Sequence, residues 1–511
     1  MTVKKTAFMC WFLIFCLFSL GIFIQSVLYC NSDVSWLLHA TQKFINGGHY
    51  YKDFFETNPP MILYLSAPSV LLAKLFHVSL SFSFYACVFL MAIVSFFLCY
   101  SLLQKIFEDN YKFKPYLLLV TLIFIFILLP VYTFGEREHL TLILIMPYLF
   151  LVTLRLKNKL INRYCLLLVG LLAGIGFAIK PHFLIPLMFV ELYLMTKKKD
   201  LLSWVRPESL FILAILVSYF ISIFIITPEY IDKIVPLASK LYFATIDVSL
   251  SEVLTQSFVF FLLVTAGFYF LLRDKIYNKE FANVLFIVAL GFFLVYVLQH
   301  APWYYHALPM VGVLTLLMML LFQENILMRG AAFLAISISF FVILFSVVIP
   351  AGFLRTVLNH EKSQPVIKLV RLLNRNCDNC KIYVFSTSIA TTYPLVDYVK
   401  AVSASRFPSH LLLPGLLRLS KAPQGKVSLE RLGDMRREIV DIVIADLQKN
   451  KPKLIIVDVS KEKPLSFNLD FDYIKFFSQD LRFREIFSHY GYLDKIANLV
   501  VYKLYGIKDG K

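Results

Sequence analysis

Residues 31–61 read NSDVSWLLHATQKFINGGHYYKDFFETNPPM and form the only long polar segment before residue 100 of this 511-residue chain. Apolar runs flank the segment, so its acids and histidines lie beside a bilayer. Ionisable groups are costly next to lipid and are usually retained there for function. The segment therefore predicts an enzyme that works at a membrane surface.

Composition indicates a polytopic membrane protein with no nucleic-acid partner. The chain is 59% hydrophobic and 16% charged, whereas a soluble domain has about 25% charged residues. The formal net charge is +17, but its lysines and arginines cluster in short loops between apolar runs. That distribution is typical of the positive-inside rule and indicates the lipid bilayer as the partner.

The apolar runs predict about eleven membrane-spanning helices, each near the length needed to cross hydrocarbon. The first run is longer than the core of a signal peptide and lacks a small-residue cleavage site, so we expect a retained helix. The predicted spans are residues 7–29, 82–103, 115–134, 139–154, 164–179, 183–196, 208–227, 254–272, 281–298, 304–322 and 330–350.

Basic and non-basic loops alternate along the chain, which places everything after residue 350 outside the cytoplasm. This orientation requires residues 60–77 not to cross the membrane. Pro68 and Lys74 interrupt that run, and we interpret it as an interfacial helix in the outer leaflet. The alternative is a twelfth span with an exceptional N-terminus. On the first interpretation, residues 31–61 and the tail share the extracytoplasmic face.

The tail has the alternating composition of a soluble α/β domain. Buried strands are predicted at residues 381–387, 453–459 and 499–505, with a helix over 429–450. We therefore divide the chain into a membrane module, residues 1–350, and an extracytoplasmic, periplasmic domain, residues 351–511.

Two further features accompany this division. An extracytoplasmic loop, residues 30–81, carries membrane-parallel helices. Cys377 and Cys380 form a disulfide in an oxidising compartment or stay a free structural pair; the sequence leaves both open.

Four residues in the opening polar segment are candidate site residues. Asp33 is a candidate general base, although it is equally suited to cap the helix that follows. Glu56 and Asn58 precede Pro59 and Pro60, which hold the backbone extended and rigid. Asp53 is the third acid of the segment. The aromatic residues around it could form an interfacial belt, but such a belt does not explain the acids.

Cations and donors recur in the later loops of the same predicted face. We interpret them as ligands of an anionic, phosphate-linked substrate, because arginine and lysine suit phosphate oxygens. The segment GEREHL, residues 135–140, is alternatively a helix-capping turn. The candidate binding residues are Arg137, His139, Lys180, His182, Tyr304, Tyr305 and His306.

No cofactor is firmly predicted. The histidines lack the spacing of metal ligands, so the sequence allows a divalent metal only through Asp and Glu oxygens. Walker A, dinucleotide-binding and nucleophile-elbow motifs are absent from the sequence, which argues against a soluble nucleotide donor.

An acid after the first span, a membrane-parallel helix and the segment Asn58-Pro59-Pro60-Met61 together resemble the GT-C superfamily of lipid-linked sugar transferases. The chain is most similar to bacterial members of glycosyltransferase family 39, related to protein O-mannosyltransferases and lipid A aminoarabinose transferases. GEREHL and the WYYH segment also resemble that bacterial branch. The likeness covers roughly residues 1–350, and it implies a GT-C helical fold.

The resemblance implies roles for several residues. Asp33 would be the base that activates an acceptor hydroxyl, with inversion at the sugar, and Glu56 would assist. Arg137, His139 and Lys180 would neutralise the departing polyprenyl phosphate. Aminoarabinose transferases have lysine where this chain has Asn58, so their sugar and phosphate contacts do not transfer.

We therefore expect an inner-membrane transferase that takes a sugar from a polyprenyl-phosphate-linked donor. Its acceptor would be an envelope lipid or glycan. The alternatives are an oligosaccharide ligase or polymerase that uses a diphosphate carrier, and a lipid or oligosaccharide transporter. Few charges inside the predicted spans weaken the transporter interpretation.

Overall fold

The computed structural model describes residues 3–28, 30–108, 115–246, 248–324, 364–399, 401–421, 428–464 and 469–505. The predicted span over residues 330–350 lies outside them, as does the predicted domain boundary at residue 350.

Among the described residues up to 324, every named element is a helix. A π-helical stretch, Phe124–Leu128, continues the fifth helix. The helices are α1 Val3–Val27, α2 Ser32–Ile45, α3 Met61–Phe76, α4 Leu80–Ile106, α5 Tyr116–Ile123, α6 Arg137–Leu156, α7 Arg163–Ala178, α8 Leu184–Lys198, α9 Pro207–Ile226, α10 Val235–Thr245, α11 Leu250–Leu254, α12 Ser257–Leu272, α13 Lys279–Gln299 and α14 Tyr304–Glu324.

Each predicted span before residue 323 coincides with a helix, which confirms a polytopic helical protein. Within the described residues, seven helices are long and apolar enough to cross a membrane: α1, α4, α6, α9, α12, α13 and α14. The segment predicted to be interfacial forms α3, with 16 residues and Pro68 inside. That length is short of the roughly 20 residues of an ordinary span. Its placement relative to a bilayer stays a prediction.

The chain divides into two compact units. The first comprises the described residues of Met1–Tyr29, Pro68–Ser222 and Val248–Val357. At its centre α6 packs against α4, α7, α13 and α14. In consequence 89% of the apolar window of α6 is buried, a much larger share than the 11% of α1 or α9. A helix this enclosed can carry charged residues only if they find partners.

Buried charges tie together the last turn of α6, the middle of α8 and the start of α9. Arg155 donates to Glu208 at 2.8 Å, and Arg206 donates to Glu208 at 3.0 Å and to Glu191 at 2.6 Å. The Glu208 side chain is 1% exposed. Breaking a pair so deeply buried is costly, so this network fixes α6, α8 and α9 relative to one another at these points.

The second unit comprises Cys30–Ala67, Ile223–Asp247 and Leu358–Lys511, again for their described residues. It thus combines α2, part of α3 and α10 with the C-terminal region. The C-terminal elements are α15 Gln364–Asn376, β1 Lys381–Phe385, α16 Leu395–Tyr398, β2 Val402–Ser403, α17 Leu413–Lys421, α18 Leu429–Asn450, β3 Leu454–Asp458, α19 Tyr473–Phe477, α20 Leu481–Ser488, β4 Tyr490–Ile496 and β5 Leu499–Leu504.

The five strands form one mixed sheet in the order β2-β1-β3-β5-β4. β1 runs parallel to β2 and β3, while β5 runs antiparallel to both β3 and β4. The registers place Ile382 opposite Leu454 and Val457 opposite Val500. Every residue of β3 is buried, as expected of a central strand. The predicted strands β1, β3 and β5 and helix α18 are confirmed.

Strand β4 was not predicted from the sequence. Its exposed Asp494 and Lys495, and a register shift between Tyr492 and Asp494, hide the alternation that marks a strand. Cys377 and Cys380, whose pairing the sequence left open, form a disulfide immediately before β1.

Candidate active site

Asp33 lies in the first turn of α2, but it does not cap the helix. The side-chain oxygen of Asn31 accepts the backbone N–H groups of Asp33 at 2.8 Å and Val34 at 3.3 Å. Asparagine is a favoured N-cap, so the alternative interpretation of Asp33 as the cap is wrong. The half-buried Asp33 carboxylate instead stands where the helix dipole stabilises negative charge.

Glu56 is a buried acceptor that joins α2 to the proline pair. Its carboxylate accepts the indole N–H of Trp36 at 2.5 Å. It also accepts the backbone and side-chain N–H groups of Asn58, at 2.6 and 2.5 Å. Three hydrogen-bond donors fix the position and orientation of this carboxylate. The geometry therefore gives Glu56 and Asn58 a positioning role beside Trp36, which stands one helical turn after Asp33.

Asp53 closes a turn at the end of α2. Its carboxylate accepts the backbone N–H of His49 at 3.0 Å and lies 3.5 Å from the amine of Lys449. About a third of the Asp53 side chain is exposed. These contacts account for an acid at this position, and its role in substrate binding stays a prediction.

The loop after α2 is held by residues of the C-terminal region. Phe55 donates its backbone N–H to the carbonyl of Arg406 at 2.7 Å, and Arg406 donates to the carbonyl of Tyr51 at 3.0 Å. Arg406 is itself paired with buried Asp446 at 2.8 Å. The ring of Phe55 packs on Phe407 at 4.9 Å. Arg406 and Phe407 thus hold the backbone immediately before Glu56.

In the first unit, a buried ion pair occupies the N-terminal turn of α6. Glu138 accepts the amine of Lys180 at 2.5 Å, with side chains 0% and 8% exposed. Lys180 also donates to Gln299 at 3.2 Å. Glu138 belongs to the GEREHL segment yet was not among the predicted site residues. The sequence does contain a signal for Glu138, because it is an acid next to Arg137 at the start of an apolar helix, where charges need partners.

His139 has a local structural role in the same turn. Its Nδ1 accepts the backbone N–H of Gly135 at 2.9 Å, and its Nε2 donates to the carbonyl of Phe126 at 2.8 Å. Gly135 adopts a left-handed φ of +85° to make this turn. With both ring nitrogens engaged and the side chain fully buried, His139 has no donor left for a ligand. The capping-turn interpretation of GEREHL fits this part of the segment.

The remaining predicted residues differ in what they offer. Tyr304 is buried and donates its hydroxyl to the carbonyl of Leu129 at 2.8 Å. The ring of Tyr305 lies 6.0 Å from the Lys180 amine, within cation–π range. His306 is buried within electrostatic range of Glu138. Burial, and then the charge of Lys180, lower the pKa of His182 to about 4, so His182 is neutral near pH 7.

The predicted residues therefore fall into two groups, one in each unit. In the second unit, Glu56 and Asn58 are tied to the helix that presents Asp33. In the first unit, Glu138 pairs with Lys180 and lies within electrostatic range of Arg137 and His306. Glu136, which is 3% exposed and within electrostatic range of Lys180, brings a second carboxylate, so two cations and two acids share this turn. A role for Arg137 and Lys180 in binding phosphate stays a prediction.

A metal site does not form from the described residues. No group of three or more His, Cys, Asp or Glu side chains in that part of the chain is arranged to hold a metal ion. A requirement for a divalent metal stays a question for experiment.

Sequence comparison alone identifies no relative. No protein-family model matches the chain, and the comparison with curated proteins finds no match.

Solved structures with the same fold are found. The chain is similar to ArnT from Cupriavidus metallidurans in the apo state, with a TM-score of 0.56 and 12% identity over 96% of this chain and 97% of that one. It is also similar to the same protein bound to undecaprenyl phosphate, with a TM-score of 0.58 and 11% identity over 100% of both chains. ArnT is a GT-C lipid A aminoarabinose transferase. The chain thus has the GT-C fold that the sequence resemblance implied.

Proposed function

We propose that this protein is an integral-membrane glycosyltransferase that moves a sugar from a polyprenyl-phosphate carrier to an envelope lipid or glycan. The observation that carries the proposal is the whole-length fold likeness to ArnT bound to undecaprenyl phosphate. The likeness covers both the helical region and the C-terminal region, so it is not a match between isolated helix bundles.

The proposed reaction is a single displacement at the anomeric carbon. An acceptor hydroxyl attacks that carbon, its proton passes to Asp33, and the bond from the carbon to the phosphate oxygen breaks. Polyprenyl phosphate leaves with the electron pair, and the sugar configuration inverts. A half-buried carboxylate at a helix start is suited to accept the proton. Because Glu56 is engaged by three donors, we assign it to positioning rather than to proton transfer.

Lys180 and Arg137 would neutralise the phosphate as it departs. Lysine serves phosphate as a point charge, whereas arginine offers a planar fork of donors. Glu138 would keep Lys180 charged and in place until the anion arrives. We leave His139 and Tyr304 out of the proposed contacts, because their polar atoms are already used. Tyr305, His182 and His306 remain in the proposed set.

The proposed location is the bacterial inner membrane, with the reaction on the extracytoplasmic face. The alternation of basic loops supports this orientation. Against a transporter, few charges lie inside the predicted spans.

The test compares cells that carry the wild type, a deletion, Asp33→Asn, or the control Asp494→Asn on the exposed face of β4. Mass spectrometry would follow the envelope glycolipids and the polyprenyl-phosphate pool. We expect the deletion and Asp33→Asn to lose one sugar from the acceptor and to accumulate the sugar-loaded carrier, with Asp494→Asn like wild type. If Asp33→Asn transfers the sugar fully at normal protein levels, the proposal fails; a defect confined to the deletion would favour a transporter.

A further inference from the structure

We infer that residues 393–398 clamp helix α2, and that Asp397 is a positioning residue for Asp33. This inference rests on the proposed function, since it concerns the group that would accept the proton. It assigns to the C-terminal region a part in catalysis that the sequence did not indicate.

A single carboxylate from the C-terminal region holds two consecutive turns of α2. One oxygen of Asp397 accepts the hydroxyl of Ser35 at 2.7 Å, and the other lies 2.6 Å from Nε2 of His39. Ser35 and His39 are four residues apart and share one helix face. Ser35 is 1% exposed, so its bond to Asp397 is shielded from water. Two bonds to one carboxylate restrict both rotation and sliding of the helix.

Two tyrosines extend the clamp on either side of Asp33. The ring of Tyr393 packs edge-on against Trp36, with centroids 5.4 Å apart, and lies 5.4 Å from His39. Tyr393 is 1% exposed. The hydroxyl of Tyr398 accepts the backbone N–H of Cys30 at 3.4 Å. The clamp therefore contacts Cys30, three residues before Asp33, and also Ser35, two residues after it.

The consequence is a fixed backbone position for Asp33. A base works only when its oxygen reaches the proton it removes, and a misplacement of about 1 Å can cost about 100-fold in rate. Asn31 caps the helix end and Glu56 holds Trp36, but neither contact restrains the face that carries Ser35 and His39. Asp397 supplies that restraint.

The experiment uses purified full-length protein and the envelope fraction of a deletion strain. On the proposed function, that fraction should hold both the unmodified acceptor and the accumulated carrier. The variants are Asp397→Ala, Asp397→Asn, His39→Leu and His39→Gln, with exposed Asp434→Asn in α18 as the matched control and Asp33→Asn as the inactive reference. Initial rates are measured by mass spectrometry at several amounts of the envelope fraction, beside the thermal unfolding midpoint.

We expect Asp397→Ala and His39→Leu to lower the maximal rate by about 100-fold and about tenfold, while the half-saturating amount of envelope fraction and the unfolding midpoint stay near wild type. Asp397→Asn and His39→Gln keep hydrogen-bonding groups and should recover most of the rate. Asp434→Asn should match wild type.

Several outcomes would overturn the clamp. An active Asp397→Ala beside an inactive Asp33→Asn refutes the clamp and leaves the proposed function intact. If the rate falls only in proportion to the amount of folded protein, the contact of Asp397 with α2 is merely structural. If Asp397→Ala does not fold, the partly exposed His39 carries the test, and equal rates for His39→Leu and wild type refute the clamp. A fully active Asp33→Asn removes the proposed function and the inference together.

Discussion

Lys180→Met should destabilise the protein strongly, because it leaves Glu138 charged and buried without its cation. The two side chains are 8% and 0% exposed and lie 2.5 Å apart. Removing one member of such a pair costs about 3–5 kcal/mol. Methionine is close to lysine in length, so a cavity adds little to this figure.

The double variant Glu138→Gln/Lys180→Met should recover most of that stability. Glutamine has the shape of glutamate without its charge, and uncharged replacements of buried ion pairs are often neutral or stabilising. We expect the double variant within about 1 kcal/mol of wild type. Glu138→Gln alone leaves Lys180 without its acid and should also be destabilised, so with that variant as the third corner of the cycle the coupling would be at least about 2 kcal/mol. Transferase activity should stay lost, because the cation proposed to meet the phosphate is gone.

Equilibrium unfolding in mixed micelles, titrated with dodecyl sulfate, would give the free energies, and the envelope-fraction assay would give the activities. The control is Lys159→Met. Lys159 pairs with Glu108 at 3.7 Å, with side chains 30% and 65% exposed. An exposed pair contributes at most about 1 kcal/mol. The control should therefore unfold almost like wild type and remain active.

Three results would refute this reasoning. If Lys180→Met is as stable as wild type, or if the double variant is no more stable than Lys180→Met, the Lys180–Glu138 ion pair does not stabilise a buried charge. If the double variant keeps its activity, Lys180 does not serve the departing phosphate.

Three further predictions concern stability and use the same unfolding titration. Trp36→Phe keeps an aromatic ring but removes the indole N–H that donates to Glu56, and its smaller ring also gives up buried contacts, so we expect a loss of at least about 1.5–3 kcal/mol; an unchanged variant would contradict the charge-assisted bond. Gly135→Ala should lose about 1–2 kcal/mol, because alanine is strained at the left-handed φ of +85°; a neutral result would show that the turn relaxes. Burial lowers the pKa of His410 to about 3, below its unfolded value of about 6.5, so the native state binds fewer protons between these limits. Stability should therefore fall with decreasing pH by about 1.4 kcal/mol per unit more in wild type than in His410→Leu; parallel curves would exclude His410 as the cause.

The sequence predicts structure best where that structure depends on local composition. Apolar runs long enough to cross hydrocarbon predicted the helices, and buried strands such as β1 and β3 were visible as short β-rich stretches. The prediction is weaker for β4, where charged residues and a register shift break the pattern. The sequence did not identify Glu138 as a site residue, although it lies in GEREHL, because a sequence does not show which of several neighbouring charges faces inward.

The sequence by itself determined a polytopic helical protein with a C-terminal α/β region, and it selected the segments that carry the candidate residues. Only the tertiary structure decided what each side chain does. It engaged both nitrogens of His139, tied Glu56 to Trp36, and brought Asp397 to Ser35 and His39 across 362 and 358 residues of chain. Helix formation depends on residues close in sequence and on the transfer of apolar side chains out of water, and both can be read from the sequence. Hydrogen bonds and buried ion pairs form only within about 3 Å, and that proximity comes from the packing of distant segments.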